Sequence, residues 1–183
     1  MSRDVWKKFE ENQLSHSAAH YLMTIRQLLD EHGYARVTDV AKALNITRGS
    51  ASISLKPLKR KGLVEEDENK FLLLSREGQR LAELVEHNDQ ILEALFRDVL
   101  GVDGDQAEVD ACKIEHLLSL ETSVRLSQFI QAVQSGRPEA KAFLKLLRDM
   151  DTGCAHESER CEFCQEICLY QPVEVREADA SAR

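Results

Sequence analysis

Apolar residues recur at helical spacing along most of the chain. Ala18, Tyr21, Leu22, Ile25, Leu28 and Leu29 make one face of a helix predicted over residues 17–32, with Gly33 as its stop. Thr38 is placed to cap a short helix with Val40, Ala41 and Leu44 inward, ending at Asn45. Thr47 then caps a further helix lasting until Gly62, and two short helices with a tight turn between them read as helix-turn-helix. Next come Leu63-Val64-Glu65-Glu66, the polar Asp67-Glu68-Asn69-Lys70, and Phe71-Leu72-Leu73-Leu74, which together read as a β-hairpin. A helix-turn-helix followed by a hairpin is a winged helix, and four consecutive elements agree on it.

Beyond the hairpin the pattern is helical only. Ser75 caps a long helix carrying Leu81, Leu84, Val85, Ile91, Leu92, Leu95, Phe96 and Val99 on one side and ending near Gly101. Two more helices are expected at about 105–118 and 121–134. Ser135-Gly136-Arg137-Pro138 breaks the chain before a last helix over 139–150. The fold class is therefore mainly α: a winged helix-turn-helix domain (15–78) behind an amino-terminal segment (1–14), then an all-helical domain (79–150), acidic outside and apolar inside as a dimerisation module is. A short Cys-rich module (151–170) and a polar tail read as disordered (171–183) follow. Pro57 falls inside the second short helix, removes one backbone bond and predicts a bend.

Composition supports this and narrows it. Among 183 residues, 8 glycines and 3 prolines are too few for the many turns of a β-sandwich. No apolar run approaches the roughly 20 residues of a membrane span, and the charged start Met1-Ser2-Arg3-Asp4 has no apolar stretch behind it, so a cytoplasmic protein without membrane contact is expected. The net charge of −8 argues against a uniformly basic nucleic-acid coat protein. That total is an average over two opposite segments. From Thr38 to Val64 the cations Lys42, Arg48, Lys56, Lys59, Arg60 and Lys61 face Asp39 alone, a net of +5; from Ala82 to Glu121 eleven carboxylates face Arg97 and Lys113, a net of −9.

The basic segment contains the predicted recognition helix. Its first turn, where such a helix meets base edges in the major groove, offers Thr47, Arg48, Gly49, Ser50 and Ser52. Arg48 suits a guanine edge and the serines a phosphate or base edge, while Lys56, Lys59 and Arg60 suit phosphates of double-stranded DNA. The alternative is a solvated helix in a protein-binding winged helix. The wing, acidic apart from Lys70, adds little to phosphate binding.

The acidic segment contains Cys112-Lys113-Ile114-Glu115-His116. On a helix, positions i, i+3 and i+4 share a face, so Cys112, Glu115 and His116 converge, and thiolate, carboxylate and imidazole suit a first-row transition metal. Alone the pattern is equally a buried Cys, a surface Glu and a satisfied His. Two further pairs strengthen the metal reading: His20 with Met23 on the first helix, and Asp89 with Glu93 on the long one.

On these residues the chain resembles the diphtheria-toxin-repressor and manganese-transport-regulator group of metal-dependent transcriptional repressors. The resemblance covers roughly Ser15 to Val133. It rests on His20-Tyr21-Leu22-Met23-Thr24-Ile25, Gly62-Leu63-Val64, Glu93 with Val99-Leu100-Gly101-Val102-Asp103, and above all Ala111-Cys112-Lys113-Ile114-Glu115-His116-Leu117-Leu118-Ser119. It implies divalent iron or manganese, with cobalt, nickel or zinc as substitutes, bridging the first helix and the dimerisation helices, and a metal-loaded homodimer on palindromic operators. Glu93, Cys112, Glu115 and His116 match family ligands directly. Position 20, usually Asp or Met in the family, is His; position 23, Glu in manganese-type members, is Met; Asp89 stands where the family has His; Glu108 stands at an occasional ligand position. Exchanging a carboxylate for His20 beside Cys112 favours Fe2+, with Co2+ or Zn2+ next, over Mn2+. His16, one turn before His20, and His87 read first as surface histidines, with either able to join the site instead.

The resemblance to the longer iron-responsive members, which carry an additional carboxy-terminal barrel, is not expected to extend past the helical domain. There the chain has Cys154, Cys161, Cys164 and Cys168, with His156 as a substitute ligand. Four thiolates this close match a tetrahedral zinc site or an iron–sulfur cluster, and free thiols or a redox dithiol stay open. The expected function is metal-dependent repression of metal-homeostasis genes. Alternatives are a regulator sensing iron–sulfur or redox state through these cysteines, or a metal-binding adaptor or storage protein. No nucleophile–base pair or phosphate loop appears, so an enzyme is not expected.

Overall fold

A computed structural model of the chain describes residues 14–150. The four-cysteine module, the tail read as disordered and nearly all of the amino-terminal segment lie outside the described residues. The chain divides into two compact units at Lys145/Leu146, and all described elements except the end of the last helix belong to the first.

Helix α1 (His16–His32) starts where the Ser15 hydroxyl accepts the Ala18 N–H and stops at left-handed Gly33 (φ 75°), whose N–H closes on the Leu29 carbonyl. Helix α2 spans Val37–Ala43 and α3 spans Arg48–Arg60. The cap of α2 is not Thr38. It is Arg36, whose N–H donates to the Asp39 carboxylate at 3.1 Å, so Thr38 lies inside the helix. Thr47 does cap α3, its hydroxyl accepting the Ser50 N–H at 3.1 Å. Helix α3 continues through Pro57 to Arg60.

Strands β1 (Val64–Glu66) and β2 (Leu72–Leu74) pair antiparallel with Val64 opposite Leu74. The Leu72 N–H also reaches the Ala35 carbonyl at 2.8 Å, tying the α1–α2 loop to the wing. The core of this half joins Leu22 and Ile25 of α1, Val40 of α2, Leu55 of α3 and Val64 and Leu72 of the hairpin, all nearly or fully buried. Removing that apolar area from water is what stabilises elements this short.

Helix α4 (Arg76–Ala94), capped by Ser75, packs along α1 and widens into a π-helical turn over Leu95–Val99. Its start lies against the hairpin base at Gly78, where a Cβ would stand 2.1 Å from the Leu63 carbonyl oxygen, so only glycine fits. Arg26 of α1 pairs with Glu86 and Glu83 of α4. Helices α5 (Gly104–Ile114), α6 (Leu120–Val133) and α7 (Pro138–Asp149) follow. The predicted helix over 105–118 is α-helical only to Ile114 and tightens into a 3-10 turn at Glu115–Leu117. The molecule is mainly helical, and no helix among the described residues is long and apolar enough to cross a membrane.

Candidate metal centre

His16 and His20 lie one turn apart on α1, with their rings edge to face at 4.4 Å between centroids. Across from them, Cys112 lies in the last turn of α5 and Glu115 opens the 3-10 turn. One ligand atom from each of His16, His20, Cys112 and Glu115 lies within 4.8 Å of the others, and the Cys112 Sγ to His20 Nε2 separation is 3.3 Å. His116 lies beside this group and is not one of its converging donors, its ring centroid 5.2 Å from that of His16.

The change of helix type at Ile114 decides where Glu115 points. The tighter turn carries its carboxylate inward until the residue is 1 % exposed. Asn88 of α4, itself buried, donates its side-chain N–H to the Glu115 backbone carbonyl at 2.7 Å and holds that turn. Glu115 Oε1 has no hydrogen-bond partner among the described residues. A buried carboxylate oxygen left without a partner is costly.

Electrostatics follow from burial and crowding of like charge. Desolvation, reinforced by Asp89, pushes the Glu115 carboxyl up to about 8. Burial raises the Cys112 thiol, and the charges of Glu115, Asp89 and Glu108 raise it further. Burial, then His16, lowers His20; burial, then His16 and His20, lowers His116. Near neutral pH without a cation, the two potentially anionic donors hold protons and His20 is an uncharged ring ready to coordinate. This donor set fits a divalent transition metal: two imidazoles, a thiol and a carboxyl whose buried Oε1 lacks a partner.

The structure therefore brings His20, Cys112 and Glu115 together and adds His16, which the sequence reading placed first on the surface. The i, i+4 spacing of His16 and His20 was the available signal. Met23, half-buried one turn further along α1, packs against the winged-helix core. Asp89 hydrogen-bonds the Glu115 side chain, and its own carboxyl is raised by burial and by Glu93, Glu108 and Glu86. Glu93 pairs with Arg97, and Glu108 is exposed. These three acids adjoin the His–Cys group without entering it. His87 turns elsewhere, to the Ser127 hydroxyl at 2.6 Å.

On the other face of the winged helix, Arg48, Gly49, Ser50, Ser52, Lys56 and Arg60 of α3 are exposed. The Thr47 and Ser50 hydroxyls hydrogen-bond each other at 2.9 Å, and Lys59 pairs with Glu66 of the wing.

Comparison with known proteins finds two adjoining matches. Residues 13–72 match the family model described as iron dependent repressor, N-terminal DNA binding domain, and residues 75–141 the one described as iron dependent repressor, metal binding and dimerisation domain. The chain belongs to the iron-dependent repressor family. This family consists of transcriptional regulators and not enzymes. Among solved structures, the chain is similar to IdeR of T. acidophilum, with 25% identity, a TM-score of 0.50 and coverage of 60% of this chain and 52% of that one. It shares its fold with the manganese regulator SloR (24% identity, TM-score 0.56, 62% and 53% coverage). The same holds for a hypothetical protein from Sulfolobus solfataricus (24% identity, TM-score 0.54, 65% and 91% coverage). The match thus spans about half the length of IdeR and of SloR.

Proposed function

We propose that this chain is a metal-activated DNA-binding repressor of metal-homeostasis genes, acting as a cytoplasmic homodimer, with divalent iron as the favoured ion. The observation that carries this reading is the group of donor atoms from His16, His20, Cys112 and Glu115, which joins α1 of the reading head to the end of α5. Of the positions that differ from the family pattern, His20 and Met23 move toward nitrogen or softer donors, which suit iron, cobalt or zinc better than manganese, while Asp89 puts a carboxylate where the family has an imidazole.

His16, His20, Cys112 and Glu115 would hold a divalent cation, whose positive charge would neutralise the thiolate and carboxylate and so join α1 to α5. The chain's own residues do the rest. Asn88 holds the Glu115 turn in place. Burial lowers the pKa of His20 and His116 and so favours their neutral rings, and near neutral pH Cys112 and Glu115 would give up their protons when a cation compensates. With α1 fixed, the attached α2–α3 pair takes one orientation, so a dimer presents two α3 helices at one half-site spacing. Such a shift extends only as far as the ion's preference for the DNA-competent state. Dimerisation through the helical half is supported by exposed apolar side chains there, among them Val109, Leu120, Val124 and Phe129. Asp89, Glu93 and Glu108, expected as further ligands of the same ion, are proposed instead as neighbouring acids that act on it through charge, with Met23 as a packing residue beside the site.

The test is operator binding by a Glu115→Ala/His116→Ala variant. It should dimerise and lose metal-stimulated DNA binding, and an unchanged metal response would overturn the mechanism. The competing reading, sensing through Cys161 and Cys164, requires instead that their replacement by Ser abolish the response.

A further inference from the structure

We infer that Ile53 reads the C5 methyl group of a thymine in the major groove, over the close approach that Gly49 permits. The inference rests on the DNA-binding reading proposed above and concerns which base feature sets its specificity.

Helix α3 buries Ala51, Leu55 and Leu58 against the winged-helix core. Its opposite face carries Gly49, Ser52, Ile53, Lys56 and Arg60 at spacings of three and four, all exposed. Ile53 stands in the middle of that face at 66% exposure, the highest of any large hydrophobic residue among the described residues. Nothing in the fold calls for isoleucine there. A β-branched residue is a mediocre helix former, and its side chain gains nothing from the core it faces away from.

Gly49 is equally unexplained by the fold. Its backbone is not left-handed, and a Cβ would meet only the Thr47 hydroxyl at 3.8 Å, an ordinary contact. Alanine would fit, and it is the better helix former of the two. Helical side chains lean toward the amino terminus, so Ile53 projects over the turn that Gly49 leaves bare. Two residues one helical turn apart, neither favoured by the free helix, leave a shallow notch walled by one branched apolar side chain.

The setting selects the ligand. Arg48 and Lys56 flank the notch and Arg60 follows, so the face is cationic around a single apolar point. A polyanion with one apolar feature at its reading edge fits this, and in the major groove that feature is the thymine methyl group. A lone isoleucine among cations offers too little apolar area for a protein interface.

The experiment uses the full chain with Co2+ or anaerobic Fe2+. Binding sites are selected from random duplex DNA, and each thymine of the selected site is then replaced by deoxyuridine, which lacks only the methyl group. One thymine per half-site should respond, binding weakening roughly three- to tenfold on methyl loss. Ile53→Ala should bind the thymine and deoxyuridine forms of that site equally, a coupling that a merely structural residue would not show. Gly49→Ala should weaken binding while leaving thermal stability equal or higher. A selected site with no methyl dependence, or full methyl dependence retained in Ile53→Ala, would overturn this inference and leave the DNA-binding reading standing. Failure to enrich any sequence would overturn both.

Discussion

The side-chain amide of Asn88 donates to the backbone carbonyl of Glu115 at 2.7 Å, joining the middle of α4 to the turn that ends α5. Both residues are 1 % exposed. The bond acts on the main chain of Glu115, so it controls where the carboxylate points without competing for it.

Replacing Asn88 by Ala leaves that carbonyl buried without its donor. The expected cost is about 1–3 kcal/mol of stability, together with weaker metal binding because the Glu115 turn is no longer held. Denaturant unfolding and Co2+ titration of the same variant check the two effects. Weakened stability with unchanged Co2+ affinity would show that the turn is held by other contacts.

His16→Ala should weaken Co2+ binding roughly 10–100-fold, as loss of a group that fixes a metal site does. The visible cobalt bands should also change, because the ion's donor set loses an imidazole. Since His16 is exposed, its replacement should leave metal-free stability unchanged. Identical cobalt spectra in the variant would remove His16 from the site.

Glu115 makes the metal-free protein sensitive to pH in a definite direction. Its folded carboxyl holds its proton up to about 8, against 4.5 for an unperturbed glutamate. Between those values the folded chain binds more protons than the unfolded one, so this group's contribution to stability is complete below 4.5 and is lost as pH rises through about 8. Asp89, also raised, acts in the same sense, while His20 and His116, lowered by burial, oppose it around their own titration. The Glu115 part is isolated by comparison with Glu115→Gln. In chelator, melting temperatures should fall from pH 5 to 8 more steeply for the wild type than for this variant. Metal should bind more tightly as pH rises, releasing about two protons at neutral pH, from Glu115 and Cys112.

Gly78→Ala tests the joint between wing and α4. The added Cβ would lie 2.1 Å from the Leu63 carbonyl oxygen, which belongs to backbone and cannot swing aside. A loss of roughly 1–3 kcal/mol is expected, at the upper end of overpacking penalties, measured by thermal melting. A near-neutral effect would mean that the hairpin base shifts freely.

Local chemistry made much of this legible. Thr47 and Ser75 were readable as caps because a hydroxyl three residues before a free N–H needs nothing from elsewhere in the chain. Thr38 was misread by the same rule, since the Asp39 carboxylate takes the Arg36 N–H and starts α2 earlier. Cys112 and Glu115 were readable as a pair through their spacing. The 3-10 turn that buries Glu115 was not, because the i, i+3 relation survives the change of helix type.

By itself, then, the amino-acid sequence determined the order of elements, the winged helix and which residues to weigh as candidate donors, because period, capping and spacing act within a few residues. Only the tertiary structure decided that His16 belongs with His20, Cys112 and Glu115 while Asp89, Glu93 and Glu108 stand beside them. That outcome depends on how α1 and α4 pack and where α5 ends between them, and residues nearly a hundred positions apart carry no local signal of such a meeting.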